Sequence, residues 1–360
     1  MDYYICTTPR HMLFAVMRGL SRPQQQTHVV FFSRNIEADR ANWDPSVLPS
    51  HVHFHLIPWR QSKAELAKQP WGLLYRLSTY RDTPATEGQQ QRFIRFLASY
   101  SPSLSEALLH DHDKSMVVFN ERNPISRLFN KLVEQFDIIE DGEGNYIEFK
   151  LPAIKTLPRR LMGLPDNRVF GESHRCQRIF AVQPHRVPSI VQHKAVNIDF
   201  LNAEAHRTNL LGLFRINGAL SHADNTIILL TQPMERWMPG NEGNKVKLYE
   251  ILTEHLNAMG YHVILKIHPA EQPEEYQHLP CAGGMLPARI PMEAAILGCE
   301  DKPTLLSIKS SAGIGFEQYC ERLKMVEADL DVALKAWGTD RQLWRTALEH
   351  TLKTGQPYHA

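Results

Sequence analysis

Short apolar runs rich in Val, Ile and Phe alternate along the chain with longer amphipathic stretches. This alternation restricts the fold more than any other feature, because a short buried run followed by a helical stretch is a βα unit, and repeated βα units build a parallel sheet covered by helices. Strands are expected at Tyr3–Cys6, His28–Phe32, Val52–Ile57, Ser115–Phe119 and Phe136–Ile139. Further strands are expected at Arg178–Val182, Thr226–Leu230, His262–Ile267, Thr304–Ile308 and Lys324–Val326. The clearest helix carries Leu248, Ile251, Leu252, Leu256 and Met259 at offsets 0, 3, 4, 8 and 11, with Gly260 as its stop. Pro152, Pro158, Pro165, Pro184 and Pro188 interrupt the alternation and mark a junction. Two α/β domains are therefore expected, over residues 1–170 and 171–335, followed at 336–360 by a helix that could pack on either half.

Composition narrows the partners. A 360-residue chain that is 43% apolar and 22% charged is long enough for two globular cores. Its 40 Lys and Arg against 39 Asp and Glu leave a formal charge of +1, without the basic excess of a nucleic-acid binder. Five widely spaced cysteines with no C-x-x-C pair suggest neither a disulfide framework nor a thiolate zinc site, and fit a reducing cytoplasm. The opening Met1-Asp2-Tyr3-Tyr4-Ile5-Cys6 has no basic region and is not that of a signal peptide. No run approaches the roughly 20 apolar residues of a membrane span, so any membrane contact is expected to be peripheral. The basic stretch Lys155, Arg159, Arg160 with Leu157, Leu161 and Met162 could lie on an anionic membrane, although a solvated helix face is the plainer reading.

The loud catalytic motifs are missing: no G-x-G-x-x-G follows a strand, and neither G-x-x-x-x-G-K-[ST], H-E-x-x-H nor G-x-S-x-G occurs. His51, His53 and His55 alternate and would share one strand face, which reads as half-buried surface before it reads as a metal site. His110-Asp111-His112-Asp113 reads as a polar loop before the next strand.

Chemistry concentrates where strands end. The Phe136–Ile139 run leads directly into Glu140-Asp141-Gly142-Glu143-Gly144, which puts two carboxylates at the carboxyl end of a buried strand, the place where open α/β sheets bind ligands. Alternation sends Glu140 and Asp141 to opposite sides, so one of them can face a given reacting atom. Gly142 and Gly144 let the chain bend tightly behind them. In the second half, His262–Ile267 ends in His268-Pro269, an imidazole held at a sheet edge beside a residue of fixed φ. The Thr304–Ile308 run ends in Lys309-Ser310-Ser311-Ala312-Gly313, where two hydroxyls and a helix N-terminus are expected to make an anion site. Between them, Glu293 in the first turn of a helix could cap that helix or accept from ribose hydroxyls.

Taken in order, Glu140-Asp141-Gly142, His268-Pro269 and Ser310-Ser311 resemble the shared motifs of the bacterial sialyltransferases that include the lipooligosaccharide sialyltransferases and the capsule polysialyltransferases. The opening Ile5-Cys6-Thr7-Thr8-Pro9 is similar to the start of the lipooligosaccharide enzymes. The resemblance spans residues 5 to 311 and is carried by motif order, each motif being two or three residues long. It implies a GT-B fold, two Rossmann-like domains facing across a cleft, and inverting transfer of sialic acid or a related nonulosonic acid from a CMP-activated donor to a bacterial surface glycan. By position it makes Asp141 the base, with Glu140 an open alternative. It makes His268, with Pro269 behind it, and Ser310 and Ser311 the group that meets the departing phosphate, with Glu293 on the ribose and Gly142 in the donor site. No metal and no cofactor are implied beyond the CMP-sugar. A UDP-sugar transferase or epimerase, or a nucleotide-sugar-binding protein without activity, are the competing readings, and a homodimer stays open.

Overall fold

The computed structural model describes residues 1–152, 154, 156, 159, 160, 166–216, 225–234, 244–327 and 330–358. The basic stretch singled out above falls partly beyond them: Lys155, Leu157, Leu161 and Met162 lie outside the described residues. The chain divides into two compact units, Met1–Arg215 and Ile216–Ala360.

The first unit holds a seven-stranded parallel sheet. Its strands are β1 (Asp2–Cys6), β2 (Thr27–Ser33), β3 (Val52–Pro58), β4 (Ser115–Val118), β5 (Phe136–Ile139), β6 (Cys176–Ala181) and β7 (Ala195–Asn197). They lie in the order β3-β2-β1-β4-β5-β6-β7, and every ladder is parallel. β1, β2 and β5 are buried along their whole length, which explains why they read as unbroken apolar runs: a parallel strand covered on both faces has no solvent side to alternate with. One core contains Tyr3, Ile5, Val30, Phe93, Phe129 and Ile138.

The second unit repeats the plan with β8 (Thr226–Leu230), β9 (His262–Lys266), β10 (Met285–Leu286), β11 (Thr304–Ser307) and β12 (Glu321–Lys324) in the order β10-β9-β8-β11-β12, again all parallel. The expected helix runs Asn244–Ala258, buries Leu248, Ile251, Leu252 and Leu256, and is followed by Gly260 at φ +85°. Met259 falls outside the buried stripe and is exposed. The last helix, Arg341–Thr354, is capped by Asp340, whose carboxylate accepts from the N–H groups of Gln342 and Leu343. It packs Trp344, Ala347 and Leu348 into the second core, which settles a placement the sequence leaves open.

The α/β class with parallel sheets agrees with expectation, but the boundary does not. Residues 171–215 belong to the first unit, since β6 and β7 complete its sheet. Of the prolines that suggest a junction near residue 170, Pro158 and Pro165 lie outside the described residues, while Pro184 and Pro188 start short turns inside the first unit. Pro184, for example, opens the 3-10 turn Pro184–Arg186 between β6 and β7, a position that suits proline because the N–H it lacks has no partner to lose there.

Among the described residues no helix is long and apolar enough to cross a membrane, and no three His, Cys, Asp or Glu side chains converge on a point where an ion could sit. His28, from the neighbouring strand β2, stacks on His53 and His55. Its Nδ1 lies 3.0 Å from Nε2 of buried His55, so this face is a packed histidine surface.

Candidate active site

In both sheets the chain order reverses beside the first strand, between β1 and β4 in one unit and between β8 and β11 in the other. Loops leaving neighbouring strands in opposite directions open a crevice at such a switch point, at the carboxyl ends of the strands. Each of the expected motifs leaves its strand at that end.

In the first unit, β1 runs into Thr7-Thr8-Pro9 and the helix Pro9–Leu20. Thr8 is the N-cap and accepts from the His11 N–H at 3.3 Å, while Pro9 occupies the first turn. This cap aims His11 across the switch point. Its ring lies flat on Phe119, just past β4, with centroids 4.2 Å apart and planes 3° from parallel. Nε2 of His11 hydrogen-bonds Oδ1 of Asp141, just past β5. Nδ1 accepts from the Thr7 N–H at 3.3 Å, and a ring nitrogen that accepts from a backbone amide carries no proton. The neutral tautomer thus holds its proton on Nε2, donated to Asp141.

The second Asp141 oxygen faces the Asn120 amide at 3.5 Å. The backbone N–H of Asp141 donates to Asn145 Oδ1 at 2.8 Å. Its side chain keeps 32% of its surface exposed. Burial alone would raise the carboxyl's pKa, but His11, through its hydrogen bond and through its charge when the ring is protonated, together with the charge of Arg10 and the Asn120 amide, outweighs it, and the net direction is down. Asp141 is an ionised, oriented, accessible carboxylate.

Glu140 is the opposite case. It is fully buried, and Oε2 accepts from the Tyr146 hydroxyl and from the Val182 N–H at 2.9 Å, while Oε1 faces Arg10 at 3.3 Å. Both Glu140 oxygens are thus engaged in the interior, and of the two acids Asp141 is the one open to solvent. The bend between them and the following turn is Gly142, at φ 132° and ψ −155°, a region that only glycine occupies without strain. Gly142 belongs to the first unit, directly after the acid.

In the second unit, His268 sits two residues beyond Lys266, the last residue of β9. Its backbone N–H donates to Thr231 Oγ1 at 2.8 Å, and its Nδ1 accepts from Ala270 N–H at 3.1 Å, which assigns the neutral ring's proton to Nε2. Thr231 in turn donates to Glu271 at 2.5 Å. Glu271 also accepts from the Tyr276 hydroxyl at 2.6 Å and pairs with buried Lys245 at 2.8 Å. Across the switch point, the Gln232 amide makes reciprocal hydrogen bonds with the Lys309 backbone, the Lys309 N–H donating at 2.8 Å. The ends of β8, β9 and β11 are thereby tied into one edge.

Two expectations about this edge need correction. No helix follows Ser310-Ser311; the chain continues in turns, with Gly313 at φ +76° and Gly315 at φ +85°. The nearby amides are occupied: Ser310 N–H by Ser307 Oγ, Ala312 N–H by Ser310 Oγ, Gly313 N–H by Glu293 and Ile314 N–H by the Ser311 carbonyl. An anion here would meet side-chain hydroxyls, without a helix dipole. Glu293, read as a ribose ligand, is 2% exposed, and its Oε1 holds Gly313 N–H at 3.0 Å. It ties the helix Met292–Leu297 to the serine turn. Beside it, Lys266 is buried with Nζ donating to the Ile267 and Pro287 carbonyls. Burial pushes its ammonium down to about 7 against the pull of Glu293.

His11, Arg10, Asn120, Tyr146, Thr231 and Gln232 are absent from the sequence-based set. No local motif announces them. The strand order does, because it brings the residues just after β1 and β4 beside those just after β5.

A family profile described as Alpha-2,8-polysialyltransferase (POLYST) matches residues 83–302. No curated protein sequence matches the chain. Among solved structures, the chain is similar to an alpha/beta-galactoside alpha-2,3-sialyltransferase from Photobacterium phosphoreum at 10% identity and TM-score 0.42, over 94% of this chain and 95% of that one. It is also similar to the UDP-GlcNAc 2-epimerase of Methanocaldococcus jannaschii at 12% identity and TM-score 0.46, over 98% and 93%. A third similarity is to the spinosyn rhamnosyltransferase SpnG, at 11% identity and TM-score 0.41 over 98% and 91%.

Proposed function

The chain belongs to the alpha-2,8-polysialyltransferase family, and from that premise we propose that it transfers sialic acid, or a related nonulosonic acid, from a CMP-activated donor to a hydroxyl of a bacterial surface glycan, by a single inverting displacement that needs no metal. The observation that carries this reading is the ionised Asp141 carboxylate, a third exposed at a sheet switch point and held by His11 and Asn120.

Asp141 takes the proton of the acceptor hydroxyl as its oxygen bonds to the anomeric carbon. The bond from that carbon to the phosphate oxygen breaks, and the electron pair leaves with CMP. His11 does not exchange this proton; its Nε2–H orients the carboxylate, and its tautomer is fixed by Thr7. Glu140 acts through the chain, pinning the strand end to Arg10, Tyr146 and Val182. In the second unit the Nε2–H of His268 and the hydroxyls of Ser310 and Ser311 meet the charge that develops on the leaving phosphate. Pro269 limits the motion of the histidine loop, and Glu293 holds the serine turn in place.

The deciding assay is a donor screen that measures nucleotide release with CMP- and UDP-sugars, with and without an acceptor glycan and in the presence of EDTA. CMP release from the sialic acid donor, stimulated by acceptor and unchanged by chelator, is expected. Release from UDP-sugars only, or loss in EDTA reversed by magnesium or manganese, would overturn the reading.

A further inference from the structure

The helix Pro70–Ser78 is anchored through one side. Tyr75 is fully buried, stacks on Phe93 with centroids 4.9 Å apart, and donates its hydroxyl to the Leu128 carbonyl at 3.0 Å. Gly72 presses on the preceding helix, Trp59–Lys68, so closely that a Cβ there would lie 2.0 Å from the Leu66 carbonyl oxygen. With that side fixed, Leu73, Leu74, Leu77 and Tyr80 fall at offsets 0, 1, 4 and 7 on the other. They are 54%, 63%, 54% and 76% exposed. Such a contiguous apolar row on an anchored helix marks an interaction surface.

At the end of this row opens a cavity of about 270 Å³ lined by Tyr80, Arg81, Arg122, Arg127 and Arg168 among others. Arg127 lies over the Tyr80 ring at 5.6 Å, joining row to cavity, and Arg122 packs on Phe170 at 4.3 Å. The acids of the lining are engaged within it, except that Glu121 keeps Oε2 without a hydrogen-bond partner and has its pKa pushed up by burial to about 7. Glu172 holds Arg159 through two bonds, Asp82 accepts from Ser173 Oγ and pairs with Arg175, and Glu121 accepts from the Gly171 N–H. Among the described residues no ion pair forms at Arg81, Arg122, Arg127 or Arg168 within 4.0 Å. The chain as a whole carries only +1, so this positive charge is local.

We propose that the outward face of Pro70–Ser78 and the arginine cavity beside it form a docking site for an anionic phospholipid bilayer. Leu73, Leu74, Leu77 and Tyr80 enter the boundary between headgroups and acyl chains, as the apolar side of an interfacial helix does. A lipid phosphodiester is received by Arg81 and Arg127, whose planar guanidinium groups match it, with the Arg122 charge, packed on Phe149 and Phe170, behind them. Neither cation nor leucine belongs to the catalytic edge, and the site stands independently of the transfer reaction proposed above.

The test is co-sedimentation of the full chain with vesicles of phosphatidylglycerol and phosphatidylcholine, compared with pure phosphatidylcholine. Binding to the anionic vesicles alone, weakened by salt, is expected. Leu74→Glu with Leu77→Glu should reduce it more than tenfold. Arg81→Gln with Arg127→Gln should reduce it roughly 25-fold, about fivefold per cation. Leu74, Leu77 and Arg81 are exposed and Arg127 is half-buried against Tyr80, so melting temperatures should move little. Failure of the parent to bind, equal binding to both vesicles, or unchanged binding by either double variant overturns the proposal. So does a parent that is dimeric in solution and becomes monomeric on Leu74→Glu with Leu77→Glu, since the face would then belong to a second copy of the chain.

Discussion

Replacing Glu140 and Asp141 in turn by their amides should separate folding from chemistry within two adjacent residues. Asp141→Asn keeps the shape and keeps an oxygen for the His11 Nε2–H, and the site is partly solvated, so the loss of charge should cost the fold only about 1 kcal/mol. The base, however, is gone. A positioned general base contributes typically 10²–10⁴-fold, which is about 2.7 to 5.4 kcal/mol of barrier. Since this carboxylate acts on the acceptor, CMP-sugar affinity should hold while transfer collapses.

Glu140→Gln reverses the pattern. The Tyr146 and Val182 donors can still find an oxygen, but the other arm becomes an NH₂ facing the Arg10 guanidinium. Breaking a buried ion pair from one side costs about 3–5 kcal/mol. Arg10 retains 14% side-chain exposure at a separation of 3.3 Å, which brings the expectation to about 3 kcal/mol. For a unit of 215 residues that corresponds to a melting point lower by roughly 6–12 °C. Calorimetric donor titration, differential scanning calorimetry and transfer rates on both variants give the answer. Full turnover by Asp141→Asn would remove Asp141 as the base. A Glu140→Gln protein that melts like the parent but has lost transfer would mean that the buried acid is the reactive one.

Three further outcomes are expected. His268→Ala should slow transfer 10²–10⁴-fold with little change in melting, because the loop is anchored to Thr231 through the His268 backbone N–H; transfer rates and a thermal melt check both halves. Ser310→Ala combined with Ser311→Ala should weaken CMP about tenfold by calorimetry, because two hydroxyl donors are lost while the Gly313 and Ile314 amides stay engaged, and the Ala312 N–H released from Ser310 Oγ replaces part of them. Burial, with the charge of neighbouring histidines, lowers His28 to about 4 and His55 to about 3 from an ordinary 6.5, so the unfolded chain binds protons that the native state refuses. Their contribution to stability should therefore be intact above pH 6.5, fall as pH drops from 6.5 towards 3, and level off below; urea midpoints at pH 7.5 and 4.5 should differ more in the parent than in His55→Gln.

What could be read from the sequence follows the physics of burial. β1, β2 and β5 are buried throughout and β8 over all but its first residue, and their apolar runs locate them to within a residue or two. β7 and β10, three and two residues long at sheet margins, have no period to detect. The junction is misread because a proline opening a 3-10 turn and a proline in a linker look alike. The helix expected after Ser311 fails because Gly313 and Gly315 adopt positive φ where a helix needs negative. At the first site, alternation correctly sends Glu140 and Asp141 to opposite sides, but it cannot say which is outward. That answer comes from Tyr146, Val182 and Arg10, none of which shares a local motif with the acids.

The two sheet edges that carry the proposed site share a construction that no single motif reveals. Beside each residue proposed to act lies a buried carboxylate that accepts from one tyrosine hydroxyl, faces one cation and takes a third short-range donor. Glu140 takes Tyr146, Arg10 and the Val182 N–H; Glu271 takes Tyr276, Lys245 and the Thr231 hydroxyl. A buried ion pair of this kind adds little net stability, because desolvation offsets most of the attraction. Its effect is on geometry: with three donors satisfied in fixed directions, the strand end has one low-energy arrangement, and every alternative leaves a buried charge unpaired at a cost of several kcal/mol. That constraint is passed to Asp141 through one peptide bond. It is passed to His268 through the Thr231 hydroxyl that accepts its N–H. The side chains that face solvent are thus held by carboxylates that do not, and a transferase gains from this because a dipole already in place at the reacting atoms has no reorganisation left to make.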